Sequence, residues 1–143
     1  MHKFYFLVLI FLSLGRVAFA IEFDRVSLII NGVHYSIEVA KTSMQRSQGL
    51  MFRTNLGIQE GMLFVYPQSG NHRIWMKNTL IPLSVIWLDE NQTVIGVKIL
   101  PPCSRDPCPS YGVSDPAKYI IELSSEARDI RKGDRIEAVN QFD

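Results

Sequence analysis

One short stretch of the chain sets an aromatic ring, a fixed positive charge and hydrogen-bonding groups side by side in an otherwise apolar run. Trp75, Lys77, Asn78 and Thr79 fall within five consecutive residues. An indole ring can stack on a sugar or another flat molecule, a lysine attracts anions, and amide and hydroxyl groups form directional hydrogen bonds. The stretch is therefore a candidate binding surface for a small polar ligand.

Two arginines upstream could supply further charge for an anionic ligand. Arg46 and Arg53 are seven residues apart, so they would share one face of a continuous helix. A guanidinium group binds carboxylate or phosphate through paired hydrogen bonds. Gly49 lies between them and could instead end the helix in a left-handed conformation, which would leave Arg53 on the following loop. The alternative role for both arginines is ordinary surface ion pairing.

The same residues also admit a purely structural interpretation. Trp75 and Met76 could pack in the core, Asn78 could cap a turn, and Lys77 could lay its alkyl chain along the surface. If the stretch is a strand, its period of two places Trp75, Lys77 and Thr79 on one face. The sequence leaves the binding and the structural interpretation open.

A hydrolase acting on a cell-envelope component is an alternative function. The chain offers His34, His72 and several carboxylates, but it contains no nucleophile elbow, no His-x-x-x-His pair and no phosphate-binding loop. Two carboxylates could still meet in space and cleave a glycoside. His34 has no evident ligand partners, so the sequence predicts neither a metal site nor a cofactor. A third possibility is a protein interaction module that presents a sheet edge or the proline-rich loop around Tyr111.

The first 20 residues have the pattern of a secretory signal peptide. A basic start at 1–3 precedes an apolar run at 4–14, and Ala18 and Ala20 provide a cleavage site. The alternative is an uncleaved membrane anchor, but the run is shorter than the roughly 20 residues that cross a bilayer. We expect a periplasmic or secreted protein, without a stable membrane anchor after cleavage.

Charge and cysteine usage narrow the class of protein. The whole chain carries a formal charge of +1, and since Lys3 and Arg16 lie in the leader without an acid, residues 21–143 carry −1. This excludes nucleic-acid binding driven by bulk charge.

The only cysteines, Cys103 and Cys108, are predicted to pair in an oxidising compartment. A redox dithiol is the alternative, although such sites usually have two intervening residues. We expect a monomer.

Short apolar runs with closely spaced turn signals predict an all-β domain over residues 21–143, a sandwich or barrel with one or two short helices. Asn31 and Gly32 predict a tight hairpin. Thr42 or Ser43 can cap a helix that runs toward Leu50. Strands are predicted at 26–30, 33–40, 61–66, 74–82, 83–88, 93–100, 117–123 and 135–139, with a polar loop at 67–73 and a helical turn from about 124 to 130.

Alternation in two of these strands assigns several polar residues to solvent. Val33, Tyr35, Ile37 and Val39 are expected to face inward, which places His34, Ser36 and Glu38 outward. Lys118 and Glu122 are expected to point outward from the strand at 117–123.

Several motifs, taken together and in order, resemble the DUF192 family. They are Arg46-x-x-Gly49-Leu50-Met51-x-Arg53, Gly61-Met62-Leu63-Phe64-Val65, Trp75-Met76-Lys77-Asn78-Thr79-x-Ile81-Pro82-Leu83, the cysteine-proline loop with Tyr111, and Gly133-Asp134. The resemblance implies a compact β domain, often exported, and assigns it no biochemical activity. Two positions depart from the family pattern, because Gln45 stands where an acid is usual and Ser84 where an aspartate is usual. If that aspartate were a catalytic acid or metal ligand in relatives, this chain would lack the chemistry.

Overall fold

Strands dominate the part of the chain that the computed structural model describes, residues 20–127 and 129–137. The predicted signal peptide lies outside the described residues, apart from Ala20. No helix in these ranges is long and apolar enough to cross a membrane. The elements are β1 (Asp24–Ile30), β2 (Val33–Ala40), α1 (Ser43–Gln48), β3 (Glu60–Gly70), β4 (Ile74–Trp75), β5 (Leu83–Leu88), β6 (Val94–Leu100), β7 (Ser110–Tyr111) and β8 (Ala117–Ser124).

Six of the strands form one sheet in the order β1-β2-β3-β8-β5-β6, and β4 pairs with β7 in a separate ribbon. Strands β2 and β3 are parallel, while the other pairs in the large sheet are antiparallel. The all-β prediction is confirmed. The predicted closing strand at 135–139 is reduced, within the described residues, to two isolated bridges that join Arg135 to Thr93 and Glu137 to Ile29. Residues 138 and 139 lie outside the described residues.

The hairpin between β1 and β2 forms as predicted. Asn31 and Gly32 both have positive φ, at 49° and 79°. A type I′ turn requires positive φ at both central positions, which asparagine and glycine adopt readily. The expected inward residues of β2 are buried except Val33, which is 39 % exposed beside the turn.

Helix α1 begins at a well-formed cap. The Thr42 hydroxyl accepts a hydrogen bond from the backbone N–H of Gln45, and the Gln45 side chain accepts one from the N–H of Thr42. This reciprocal pair is a capping box. The helix ends at Gly49, whose φ of 47° is positive as expected but whose ψ of −137° lies outside the left-handed helical region. Leu50 then enters the core.

Both faces of the central strands are covered, so the sheet has a buried cluster on each side. One cluster contains Leu28, Ile37 and Ile121, drawn from strands across the sheet. The other packs Met62 and Trp87 and extends to residues from the loop after α1 and the β4 segment. Strands buried on both faces carry near-continuous apolar sequences, and β8 has such a sequence. A polar residue within β8 is therefore buried on either face.

Some predicted element boundaries were wrong. Strand β3 extends to Gly70, through the predicted loop at 67–73. The predicted strand at 74–82 ends at Trp75, because the chain turns at Asn78, where φ is 56°. After Ser124 the chain makes a turn closed by the N–H of Ala127 and the carbonyl of Ser124, and no helix forms there in the described residues.

Candidate functional site

A narrow cleft opens between α1, the loop after it and the segment that follows β4. Its lining includes Arg46, Met51, Trp75, Thr79 and Glu122, and we call it the Glu122 cleft. The cavity volume is about 30 Å³. Because one buried water needs roughly 10–15 Å³ measured in this way, the cleft has room for about two waters or one small polar group.

A buried carboxyl group lines this cleft. Glu122, on β8, is only 5 % exposed. No hydrogen bond joins its carboxyl group to a donor among residues 20–127 and 129–137, and since no fully enclosed side-chain oxygen in these ranges lacks a partner, the carboxyl oxygens are accessible from the cleft. Burial raises the pKa of Glu122 to about 8, because a carboxylate loses its hydration there. The side chain is therefore mostly a neutral carboxylic acid at pH 7.

The position of Glu122 in the sheet explains why no charge compensates it. Residues paired across neighbouring strands point to the same face, and Glu122 stands opposite Met62 on β3 and Val85 on β5. The same row continues to Glu38 on β2 and Lys98 on β6. Apolar side chains thus separate Glu122 from the nearest charged members of its own row.

The prediction that Glu122 points to solvent was wrong. Strand alternation predicts that one face of β8 is exposed to solvent. In the structure, residues of α1, the loop after it and the β4 segment lie against that face. The sequence held a usable signal, since Glu122 is flanked by apolar residues in the run 119–123. A run without alternation indicates a strand buried on both faces.

Arg46 reaches the Glu122 cleft from α1. Its guanidinium donates hydrogen bonds to the backbone carbonyls of Lys41 and Val65, the latter at 3.0 Å. It also lies 5.1 Å from the centre of the Tyr66 ring. None of the described carboxylates forms an ion pair with Arg46, so its positive charge is not neutralised by the protein residues around it.

Tyr66 lies beside the guanidinium group of Arg46. Its ring stacks on the His72 imidazole, with centroids 3.6 Å apart. Burial raises the pKa of the Tyr66 hydroxyl, the charge of Arg46 opposes this increase, and Glu122 adds to it. His72 is therefore half-buried against a ring rather than freely exposed on a loop, as had been expected.

Thr79 contributes a second under-satisfied polar group. It is 6 % exposed, and its hydroxyl lies 3.5 Å from the Lys77 carbonyl, beyond the usual range for a hydroxyl donor. The predicted strand face of Trp75, Lys77 and Thr79 does not form, because the turn at Asn78 directs Thr79 inward. The carbonyl of Asn78 accepts the N–H of Phe52 at 2.8 Å, which fastens this turn to the loop after α1.

Trp75 lines the cleft, whereas Lys77 lies beside it and lines a separate small pocket with Asn78 and the disulfide loop. Trp75 is 52 % exposed, which contradicts the interpretation that it packs in the core, whereas Met76 is buried. The Lys77 ammonium lies 5.6 Å from the centre of the Trp75 ring and 3.0 Å from an oxygen of Asp106. The disulfide between Cys103 and Cys108 is confirmed, and Cys103 bridges to Lys77, so the proline-rich loop supports this side of the site.

Arg53 does not join Arg46 in one clamp. It forms an ion pair with Glu38, which also binds Arg25 at 2.7 Å. Arg53 and Glu38 line a neighbouring groove that shares Met51 with the Glu122 cleft. The expected solvation of Glu38 was wrong, because its side chain is only 11 % exposed between the two guanidinium groups.

The remaining sequence candidates lie outside the cleft. His34 is exposed on β2, as expected, and Asp89 accepts hydrogen bonds from backbone N–H groups of its own turn. A wider groove of about 580 Å³ runs along β1 and β2 beside His34, but no buried charged side chain lines it. Within the described ranges, no group of three His, Cys, Asp or Glu residues is arranged to hold a metal ion.

The two departures from the family pattern have separate structural settings. Gln45 serves the helix cap, where its side chain accepts from two backbone N–H groups, those of Lys41 and Thr42. Ser84 on β5 is paired with Leu123, so it faces the side of the sheet opposite to Glu122. Neither side chain lines the Glu122 cleft.

Comparison with known proteins supports the fold of the domain and identifies its family. Two crystal structures are similar in fold, each with 28 % sequence identity. A protein from Sinorhizobium meliloti, provisionally described as a transcription regulator, has a TM-score of 0.73, and the match covers 82 % of this chain and 96 % of that one. A protein of unknown function from Novosphingobium aromaticivorans has a TM-score of 0.69, with 79 % and 84 % covered. No curated protein matches the chain. The model of the DUF192 family, described as an uncharacterised ACR, matches residues 26–138, and the chain therefore belongs to that family.

Proposed function

We propose that the domain is a binding module for a small polar or anionic ligand whose head group enters the Glu122 cleft. One observation carries the proposal: Glu122, whose largely buried carboxyl group has no donor among the described residues, and Arg46, which has no acidic partner among them, line the same small cavity. Buried polar groups in folded proteins are nearly always hydrogen-bonded, and exceptions are frequent at sites that receive a ligand or water.

The charges around the cleft favour an anionic ligand. Arg46 supplies a guanidinium group without an acidic partner among the described residues, and Glu122 is mostly neutral at pH 7. Lys77, next to the Trp75 ring but outside the cleft lining, is a second cation in this region, and it is paired with Asp106. Arg53 is occupied by Glu38 and contributes at most at longer range.

Trp75 gives the ligand body a surface outside the cleft. Roughly half of the side chain is exposed beside an opening lined with polar groups. Aromatic rings in such positions bind sugars and other flat molecules by contact with the ring face. The ligand would therefore place a small head group inside the cavity and its body against the indole.

A hydrolase is less well supported. The raised pKa of Glu122 suits a general acid. Glycoside cleavage, however, requires a second carboxyl group about 5–9.5 Å away. Of the described residues that line the cleft, Glu122 is the one with a carboxyl group. Binding without bond cleavage therefore fits the site better.

We infer that the protein acts outside the cytoplasm. The predicted leader and the disulfide between Cys103 and Cys108 support this, because disulfides persist in oxidising compartments. A signal-dependent fractionation experiment, with and without residues 1–20, tests it. Retention of the full chain in the cytoplasm would contradict it.

A thermal-shift screen against envelope sugars, nucleotides and organic anions tests the binding function. A ligand that binds only the folded protein raises Tm. We expect the increase to shrink in Trp75→Ala and Arg46→Lys and to persist in Ile99→Ala, a matched control that removes an exposed apolar side chain on β6. An increase of equal size in all three variants would place binding elsewhere and contradict the proposal.

A further inference from the structure

We propose that Glu122 is a proton-carrying ligand residue, which as a carboxylic acid donates a hydrogen bond to the carboxylate of the bound molecule. This inference rests on the proposed binding function and names the chemical group that the cavity takes. It also makes the proton part of the binding site, since an ionised Glu122 would repel the same carboxylate.

The geometry of the cleft supports a carboxylate. Three residues with polar side chains line one cavity: Glu122, whose carboxyl group has no donor among the described residues, Thr79, whose hydroxyl is poorly satisfied, and Arg46. The cavity of about 30 Å³ has room for about two waters, and the two oxygens of a carboxylate can replace them. Inorganic phosphate has four oxygens around its phosphorus atom and is bulkier than a planar carboxylate, so we expect the small cavity to favour the carboxylate.

Arg46 is the charged residue that lines the cleft together with Glu122. Met62 and Val85 flank Glu122 within the sheet. The titratable groups that face it from other elements are Arg46 on α1 and Tyr66 on β3, and the pKa of Tyr66 is raised above its usual value of 10. With its pKa raised, the Tyr66 hydroxyl stays neutral between pH 7 and 9.

The charged side chains of Glu38, Lys77 and Lys98, farther from Glu122, each have a partner in the protein. Glu38 on β2 is held by two arginines, and Lys77 beyond Trp75 is paired with Asp106. Lys98 on β6 donates to the carbonyl of Gly112. Glu122 is therefore the carboxyl group lining the cleft whose titration we expect to alter carboxylate binding in this pH range.

Acetate is a suitable probe, because it is fully ionised from pH 7 to 9 and consists of little more than the proposed head group. NMR titration of the purified protein, followed at the amides of residues that line the cleft, gives its Kd. Since the pKa of Glu122 is about 8, the protonated fraction falls about tenfold between pH 7 and 9. We expect Kd for acetate to rise about tenfold over this range, and inorganic phosphate at equal concentration to leave the same amides unshifted.

Two variants distinguish the effect of the Glu122 proton from the effect of the side-chain shape on acetate binding. Glu122→Gln keeps a hydrogen-bond donor that does not titrate, so it should bind acetate with a Kd that is constant from pH 7 to 9. Glu122→Leu has no donor and should lose acetate binding. Thr79→Val, which replaces the hydroxyl by a methyl group, should weaken binding while retaining the pH dependence.

Three outcomes would overturn the inference. They are the absence of acetate shifts at the cleft in the unmodified protein, a Kd for acetate that is independent of pH, and a Kd for acetate that falls as pH rises. Any of these could accompany a positive result in the thermal-shift screen, so failure here is distinguishable from failure of the binding function.

Discussion

Gly61 on β3 packs so closely against β8 that a Cβ at this position would lie 2.2 Å from the carbonyl oxygen of Glu122. This close contact joins the two central strands at the point where the carboxyl side chain leaves the sheet. The absence of a side chain at Gly61 is therefore a condition for the observed position of Glu122.

Gly61→Ala should destabilise the fold and disturb the Glu122 cleft together. Overpacking of a rigid interior usually lowers the free energy of unfolding by about 1–3 kcal/mol, and a clash with backbone belongs at the upper end. Urea unfolding measures the loss. Gly70→Ala is a matched control, because its Cβ would meet nothing closer than 3.4 Å, and a similar loss in both variants would show that the contact with Glu122 is not the cause.

The pH dependence of stability should reveal the buried acid. The pKa of Glu122 is raised from 4.5 to about 8 in the folded state, so between these values the folded protein binds a proton that the unfolded chain has released. Its contribution is therefore fully present below pH 4.5 and is lost as pH rises toward 8, by at most about 1.4 kcal/mol per pH unit.

Glu122→Gln should remove this slope. Relative to the unmodified protein, the variant should become progressively more resistant to urea as pH increases from 5 to 8. The glutamine amide is neutral at every pH in this range, whereas the Glu122 carboxyl group is neutral only while it holds a proton. Glu126→Gln, at an exposed position four residues farther along, is the control. Parallel stability curves for the unmodified protein and Glu122→Gln would contradict a buried neutral acid.

Lys77→Ala should separate binding from stability. The ammonium of Lys77 is partly exposed and its ion pair with Asp106 is at the surface, so the loss of stability should be below about 1 kcal/mol. Affinity for an anionic ligand should nevertheless fall, because one of the two cations near the cleft is removed. Calorimetric melting and binding titration of the same sample measure both effects, and a large drop in Tm would indicate a structural role instead.

Glu38 should contribute more to the stability of the fold than a solvent-facing residue on a strand would. Removing its charge by Glu38→Gln leaves the half-exposed Arg25 and the less exposed Arg53 without the carboxylate that they share, which is itself only 11 % exposed. We expect a loss of about 1–3 kcal/mol in urea unfolding. Glu60→Gln, whose carboxylate is half exposed and 4.0 Å from Arg25, should change little, and equal losses would refute the pairing.

How much the sequence could predict depended on the range of the interactions involved. The hairpin at Asn31 and Gly32 and the cap at Thr42 follow from neighbouring residues, and both formed as predicted. The disulfide needed only two cysteines and an oxidising compartment. These features are local, so the sequence around them was sufficient.

The candidate site was harder to predict because it depends on contacts between distant segments. Glu122 and Glu38 were assigned to solvent by strand alternation, but α1 and the loops after it cover that face of the sheet. Thr79 turns inward because the chain reverses at Asn78, which ends the strand early. The arginines separate because Arg53 pairs with Glu38 on a strand that precedes the helix.

The central claim is that Glu122 remains protonated in a cleft that receives a carboxylate, and a carbon-13 NMR titration of the Glu122 side-chain carboxyl tests it most directly. We predict a pKa near 8 in the free protein and a further increase in the presence of saturating acetate, because the ligand binds the protonated form. A value near 4.5 in the free protein, or a decrease when acetate is added, would contradict the account.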